Sequence, residues 1–173
     1  MSSRLFTKGI VMDFDIPEDV YVRAEEEALE QVFYHLLAQN LKGLEQRDGR
    51  KNIKISLKKL GGSVLLEMRS NGKEFSNEFI RFESGIGSIQ DAPEANAAEL
   101  EICKEFMNDF GGKVMFENIY SANGNAEGTT IKLLFVSASE KKGSLVDLKR
   151  GTKKDILEQI NQANENKPLN RDV

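Results

Sequence analysis

The chain has 173 residues, 39% hydrophobic and 30% charged, with a net charge of −4, the profile of one globular domain with room for a continuous core plus an appendage. No apolar run is long enough to span a bilayer and MSSRLFTKGIVMDF lacks a signal-peptide pattern, so an intracellular, cytoplasmic protein is expected. The lone Cys103 excludes an internal disulfide and gives no zinc spacing, and the net negative charge argues against a nucleic-acid binder.

The first strand is expected in GIVMDFDIP, Gly9 to Pro17, which alternates apolar and polar residues and stops at a proline. VYVRA, Val20 to Ala24, reads as a second short strand. The helix that follows opens on Glu25, Glu26 and Glu27, which suit the positive end of a helix dipole. Leu29, Val32, Phe33, Leu36, Leu37, Leu41 and Leu44 then form one broad apolar face, and Gly43 with QRDG marks the end. Gln31, His35 and Gln39 stand four apart on that helix and form a polar line along it.

NIKISLKKL and SVLLEMRS are strand-like runs joined by Gly61 and Gly62, an antiparallel hairpin signal. NGKEFSNEFIRFESGIGSIQDAPEAN is a long polar interval with a short helix around Phe79, and an interval of this length inside a domain is functional or mobile. A second long helix is predicted from Ala97 to Phe110, with Leu100, Cys103, Phe106, Met107 and Phe110 on one side and Gly111-Gly112 as its stop. KVMFENIY and TTIKLLFV are two more strands around the turn-rich SANGNAEG. Strands paired by hairpins rather than in strict alternation with helices predict a layered sheet and helices.

After Ser137 the pattern weakens. Residues 141–173 carry eight basic and five acidic residues, a surplus of three, leaving −7 for the first 140. TKKDILEQINQANEN reads as a last helix with Thr152 as N-cap, Asp155 reaching back, and a narrow stripe of Ile156, Leu157 and Ile160. The expected division is a body over 1–138 and a C-terminal extension over 139–173 with a short helix and a disordered end. That extension is read either as a partner-binding element or as packing on the sheet edge.

The order of these elements resembles the ATP-binding domain of sensor histidine kinases and their relatives, the Bergerat or GHKL ATPases, from about Gly9 to Val136. DIPEDVYVRAEEEALEQVFYHLLAQNLKGL looks like the family's lead-in strand and N box, RSNGKEF stands at its first glycine box, and FIRF has the Phe-x-x-Phe spacing of its lid. AAELEICKEFMNDFGGKVMFENIYSANGNAEGTTIKLLFV follows the second glycine box through to the Gly-Thr-Thr strand. The resemblance implies a two-layer α/β (α+β) sandwich with a mixed, mostly antiparallel sheet and helices on one face. It also implies a nucleotide pocket whose residues here are Gln39, Ser70, Asn71, Gly72, Thr129 and Thr130.

The residue types at those places depart from the family's. The N-box Asn that reaches Mg²⁺, a cation that takes oxygen ligands, corresponds to Gln39, and the earlier Asn to His35. Asn40 lies about 100° away around the helix. The adenine-binding Asp corresponds to Ser70, and the second glycine of that box to Glu74. The second glycine box corresponds to Ala95, Ala97 and Glu99, placing a carboxylate at a helix start where the family receives phosphate. Only about eight residues precede the expected first strand, so no His-bearing hairpin is expected ahead of it and no autophosphorylation in cis.

The expectation is a degenerate ATPase-like domain that binds neither metal nor nucleotide, has no catalytic residue, and acts in signalling by docking a kinase, a receiver domain or another regulator. Oligomeric state is left open. One alternative is a divergent but active ATPase or kinase of the anti-sigma-factor type, in which Gln39, Ser70 and Gly72 carry Mg-ATP. Another is a phosphotransferase built on a pseudo-ATPase domain. His35 is read as a polar residue on the pocket floor, against a phosphoacceptor, a metal ligand or a pH switch. Cys103 is a packing residue, and Gly85 to Gly87 give the lid flexibility. Phe75, Phe79 and Phe82 either pin the lid to the domain or form a docking surface.

Overall fold

In a computed structural model, residues 2–7, 9–17, 20–83, 97–137 and 145–147 are described. They form β1 (Ser2–Thr7), β2 (Ile10–Asp15), β3 (Tyr21–Arg23), α1 (Glu26–Glu45), β4 (Lys51–Leu60), β5 (Ser63–Ser70), α2 (Asn77–Glu83), α3 (Ala97–Asp109), β6 (Lys113–Tyr120), β7 (Ala126–Val136) and β8 (Leu145–Asp147). One six-stranded sheet has the order β1-β2-β4-β5-β7-β6, and β3 pairs with β8 in a separate ribbon. Within the large sheet β2 and β4 run parallel, and every other neighbouring pair is antiparallel. The helices pack on one face, as the mixed, mostly antiparallel sandwich requires.

The alternation along each strand decides which face that is. Met12, Phe14, Ile53, Ile55, Leu57, Val64, Leu66, Met68, Val114, Phe116, Ile131, Leu133 and Phe135 are buried on the inner side. They meet Leu29, Val32, Phe33, Leu36, Leu37 and Leu44 of α1 and Leu100, Cys103 and Met107 of α3 in one core. Cys103 is fully buried, as a packing residue should be. At about 25 cal/mol per Å² of apolar surface removed from water, such side chains contribute about 1.5–3 kcal/mol each before entropy is counted.

Local chemistry sets the ends. Gly61 takes φ 58° in the two-residue turn between Leu60 and Ser63, the positive value such a hairpin favours. Helix α3 stops where Gly112 N–H donates to the Met107 carbonyl at 2.7 Å and Gly111 adopts φ 69°, a left-handed cap. Helix α1 starts at Glu26 without a side-chain cap, its acidic first turn facing the dipole.

Three points differ from expectation. The first strand is Ser2–Thr7, ahead of Ile10–Asp15, and it pairs antiparallel with β2 at the sheet edge. Helix α1 continues through Gly43 to Glu45. The strand from Val20 to Ala24 stands outside the main sheet, and its partner Leu145–Asp147 comes from the C-terminal extension. The expected helix after Thr152, with Asp155, Ile156, Leu157 and Ile160, lies outside the described residues. No helix among the described residues is long and apolar enough to cross a membrane.

Candidate functional site

A pocket of about 590 Å³ opens between the C-terminal half of α1 and the segment that links β5 to α2. Its walls include Gln39, Lys42 and Gly43 from α1, Lys73 to Glu78 from the linking segment and α2, Tyr120 from the end of β6 and Thr129 from β7. A volume of this size is in the range that holds small ligands.

The pocket's shape follows from two close backbone approaches. Lys73 N–H donates to the Gly43 carbonyl at 2.9 Å, so the chain leaving β5 is docked on α1. A Cβ at Gly72 would meet the Gly43 carbonyl carbon at 2.9 Å, whereas one at Gly43 would sit 3.4 Å from the Lys73 oxygen. The steric demand therefore falls on Gly72, while a Cβ at Gly43 would make only ordinary contact. Sequence reading took Gly43 only as a helix stop. At the far wall Gly128 fits against the end of β5, where a Cβ would overlap the Ser70 carbonyl oxygen and stand 2.9 Å from the Asn71 Cα.

The outer wall is held by Asn118, which nothing in the sequence pattern singled out. Its Oδ1 accepts the Phe75 N–H at 2.8 Å and its Nδ2 donates to the Phe75 carbonyl at 2.9 Å. One carboxamide thus completes both backbone groups of a residue in the loop. Below it Phe75, Phe79 and Phe116 pack with ring centroids 5.0–5.6 Å apart, and Ser76 Oγ accepts the Phe79 N–H at 3.0 Å as the N-cap of α2. Phe79 is fully buried and Phe75 nearly so. These two rings pin the segment and do not form a docking surface; the Phe82 side chain lies outside the description.

The polar line of α1 runs from surface to interior. Gln31 is exposed, His35 half-buried and Gln39 buried at 6% exposure. Gln39 Oε1 is cut off from solvent and has no hydrogen-bond partner among the described residues, as is the case for Asn40 Oδ1; Asn40 Nδ2 donates to the Leu36 carbonyl at 3.1 Å. Leaving a buried acceptor unsatisfied costs about 1–3 kcal/mol. His35 Nδ1 stands 3.6 Å from Glu99 Oε2 across the α1–α3 interface, and its ring lies nearly perpendicular to that of Tyr34. His35 therefore does have an acidic partner, one that inspection of its own helix face missed.

The remaining sequence-predicted site residues divide. Ser70 Oγ shares a 3.0 Å hydrogen bond with Thr129 Oγ1 and accepts the Gly72 N–H at 3.4 Å, and both side chains are buried. Asn71 turns to strand β4, accepting the Asn52 N–H at 2.9 Å and donating to the Arg50 carbonyl at 2.8 Å. Gly72 is the docking point on α1. Thr130 follows the strand alternation to the opposite sheet face from Thr129, in register with Arg69 and Glu117. Of the set, Gln39 and Thr129 come together on the pocket wall. Gly85 to Gly87, Glu94 and Ala95 lie outside the described residues, and of the Ala97 side chain nothing is described; Glu99 is in the first turn of α3.

In sequence the chain matches no protein-family model and no curated protein. In structure it is similar to the nucleotide-free catalytic domain of the histidine kinase ThkA, with a TM-score of 0.59 at 19% identity over 75% of this chain and 79% of that one. The mycobacterial sensor histidine kinase MprB gives a TM-score of 0.56 at 15% identity over 73% of this chain and 82% of that one. ThkA in complex with the response regulator TrrA gives 0.52 at 21% identity, over 76% and 36% of the respective chains.

Proposed function

We propose that this chain, which has the catalytic-domain fold of histidine kinases, is a signalling module that docks a protein partner and does not hydrolyse ATP. The carrying observation is the Ser70–Thr129 pair. At the place where the family presents a carboxylate to adenine, the chain has a short hydroxyl, buried and already hydrogen-bonded to its neighbour. Two further features support the reading. The metal-holding position offers the single neutral oxygen of Gln39, and the first turn of α3 carries the Glu99 carboxylate, held beside His35, where the resemblance puts phosphate. Mg-ATP does not fit this donor set.

The partner belongs to the same signalling class, a kinase or a receiver domain; ThkA itself has been solved with a response regulator. Titration calorimetry with Mg-ATP and Mg-ADP tests the proposal. No heat of binding at millimolar nucleotide is the expected result, and micromolar affinity would sink it. A divergent, active kinase acting in trans is the second reading, favoured by one observation: Gln39, the residue at the metal-holding position, keeps a carboxamide and lines the pocket. ATP turnover by the purified chain that disappears in Gln39→Ala would establish that reading instead.

A further inference from the structure

We propose that residues 152–160, from this chain's own C-terminal extension, dock on the outer face of the large sheet, over an apolar patch at the end where Ser137 leaves β7. The inference goes beyond the docking of a signalling partner and does not depend on whether nucleotide binds.

The patch follows from strand alternation. Because Leu57, Val64, Leu66, Leu133 and Phe135 are buried against the helices, Leu60, Leu65, Leu134 and Val136 stand on the opposite face. Register brings them together: Leu65 pairs with Leu134, and Ser63 lies between Leu60 and Val136. Leu60 and Val136 are 51% and 53% exposed, and Leu65 and Leu134 are half-buried. The neighbouring part of that face has a different chemistry. Lys58 pairs with Glu67 at 3.0 Å and Lys132 with Glu117 at 2.6 Å, and Lys54 and Arg69 are exposed. An apolar corner on an otherwise charged face is the mark of a surface that something covers.

Position, length and pattern select the cover. Val22 pairs with Val146 on one edge and bridges Ser137 on the other. Neighbouring strands lie about 4.8 Å apart, so Val146 comes within about 10 Å of Ser137, the residue after Val136. Residues 148–151, when extended, span about 13 Å, and a segment that begins at Thr152 therefore reaches the patch. On that segment the sequence predicts a helix whose apolar stripe is Ile156, Leu157 and Ile160, about 6 Å long from first to last. Leu134 and Val136, two residues apart on one strand, offer a matching length of about 7 Å. Charge acts in the same direction, since residues 141–173 carry a surplus of three positive charges against −7 on the first 140. A second copy of the chain would instead bring together two bodies of the same negative sign.

The test uses the full chain, with Cys103 retained because it is fully buried. Val136→Cys is combined in turn with Ile156→Cys, Leu157→Cys and Ile160→Cys, and each protein is oxidised at low concentration. Tyr34→Cys with Leu157→Cys, which puts one thiol at an exposed position of α1, is the control. At least one of the three pairs should close a disulfide within the chain, a bond that needs Cβ atoms about 4 Å apart, and the control should not. Hydrogen exchange reads the same contact without thiols. Val136→Lys, an exposed change that spares the fold, should abolish the amide protection of residues 156–160 while that of residues 21–23 and 145–147 stays. The proposal is overturned if no pair closes, if the control closes as readily, or if residues 156–160 exchange alike in Val136→Lys and in the unaltered chain. A disulfide that forms only between chains would also overturn it and make a second copy the occupant.

Discussion

Gly128 sets how closely β7 approaches the end of β5, because any Cβ there would run into the Ser70 carbonyl oxygen. Gly128→Ala should therefore destabilise the protein by about 1–3 kcal/mol through forced strand separation, seen as a lower denaturation midpoint at unchanged slope. Ser70→Ala acts differently: it leaves Thr129 Oγ1 without its partner in a buried place, at a cost of about 1–3 kcal/mol. The His35–Glu99 contact is weaker. With the Glu99 side chain 46% exposed, a double-mutant cycle of His35→Asn and Glu99→Ala should give a coupling below about 1 kcal/mol that shrinks with added salt. At this scale the sequence was informative about identity and poor about pairing. The Gly-Thr-Thr motif put Thr129 and Thr130 on a strand, which begins earlier, at Ala126, but it assigned both to one pocket, whereas strand alternation turns Thr130 to the other face of the sheet. That His35 meets Glu99 depends on how two helices pack, which no local periodicity carries.

Helix α2 and the segment before it are anchored from outside by one residue. Asn118 replaces the strand pairing that Phe75 lacks by bonding its N–H and carbonyl at once, while the Phe75, Phe79 and Phe116 rings hold it from below. Asn118→Ala should lower global stability by about 1–3 kcal/mol. It should also raise amide hydrogen exchange at Phe75 more than at β4 or β5, since the loosening is local. Elements with a strong period were legible: α1, α3, the Gly61-Gly62 hairpin and β6–β7 all lie within a few residues of their sequence-based limits. The strands that escaped, Ser2–Thr7 and Leu145–Asp147, are a sheet edge and a three-residue stretch. Ser2–Thr7 is as long as Ile10–Asp15 but lacks its alternation, and Leu145–Asp147 is too short to show a period. The clamp of Asn118 was equally invisible, because asparagine in a strand reads as a flaw until its contact is seen.

At the scale of the molecule, the C-terminal extension returns to the body. Residues 145–147 pair with 21–23 in antiparallel register, and Ser137 bridges to Val22, whose side chain is fully buried. Removing residues 138–173 takes away the only strand paired with β3 among the described residues and should lower the melting midpoint, whereas a truncation that stops after Asp147 should retain most of the difference. Length and charge set the tail apart from the body by composition, but composition does not report a three-residue pairing.

The contact of Gly72 with Gly43 has one more consequence, which concerns how this chain can change over generations. Helix and loop touch there backbone to backbone, so a side chain gained at 72 is tolerated only if the helix retreats, and that retreat breaks the Lys73–Gly43 hydrogen bond and reshapes the pocket mouth. Position 72 is thus expected to stay glycine across related sequences that keep this loop, whereas a residue as small as alanine at 43 is compatible with the same contact. A lineage holding glycine at 72 has fixed the entrance of its pocket, and its binding preference can then drift only through the side chains around that entrance.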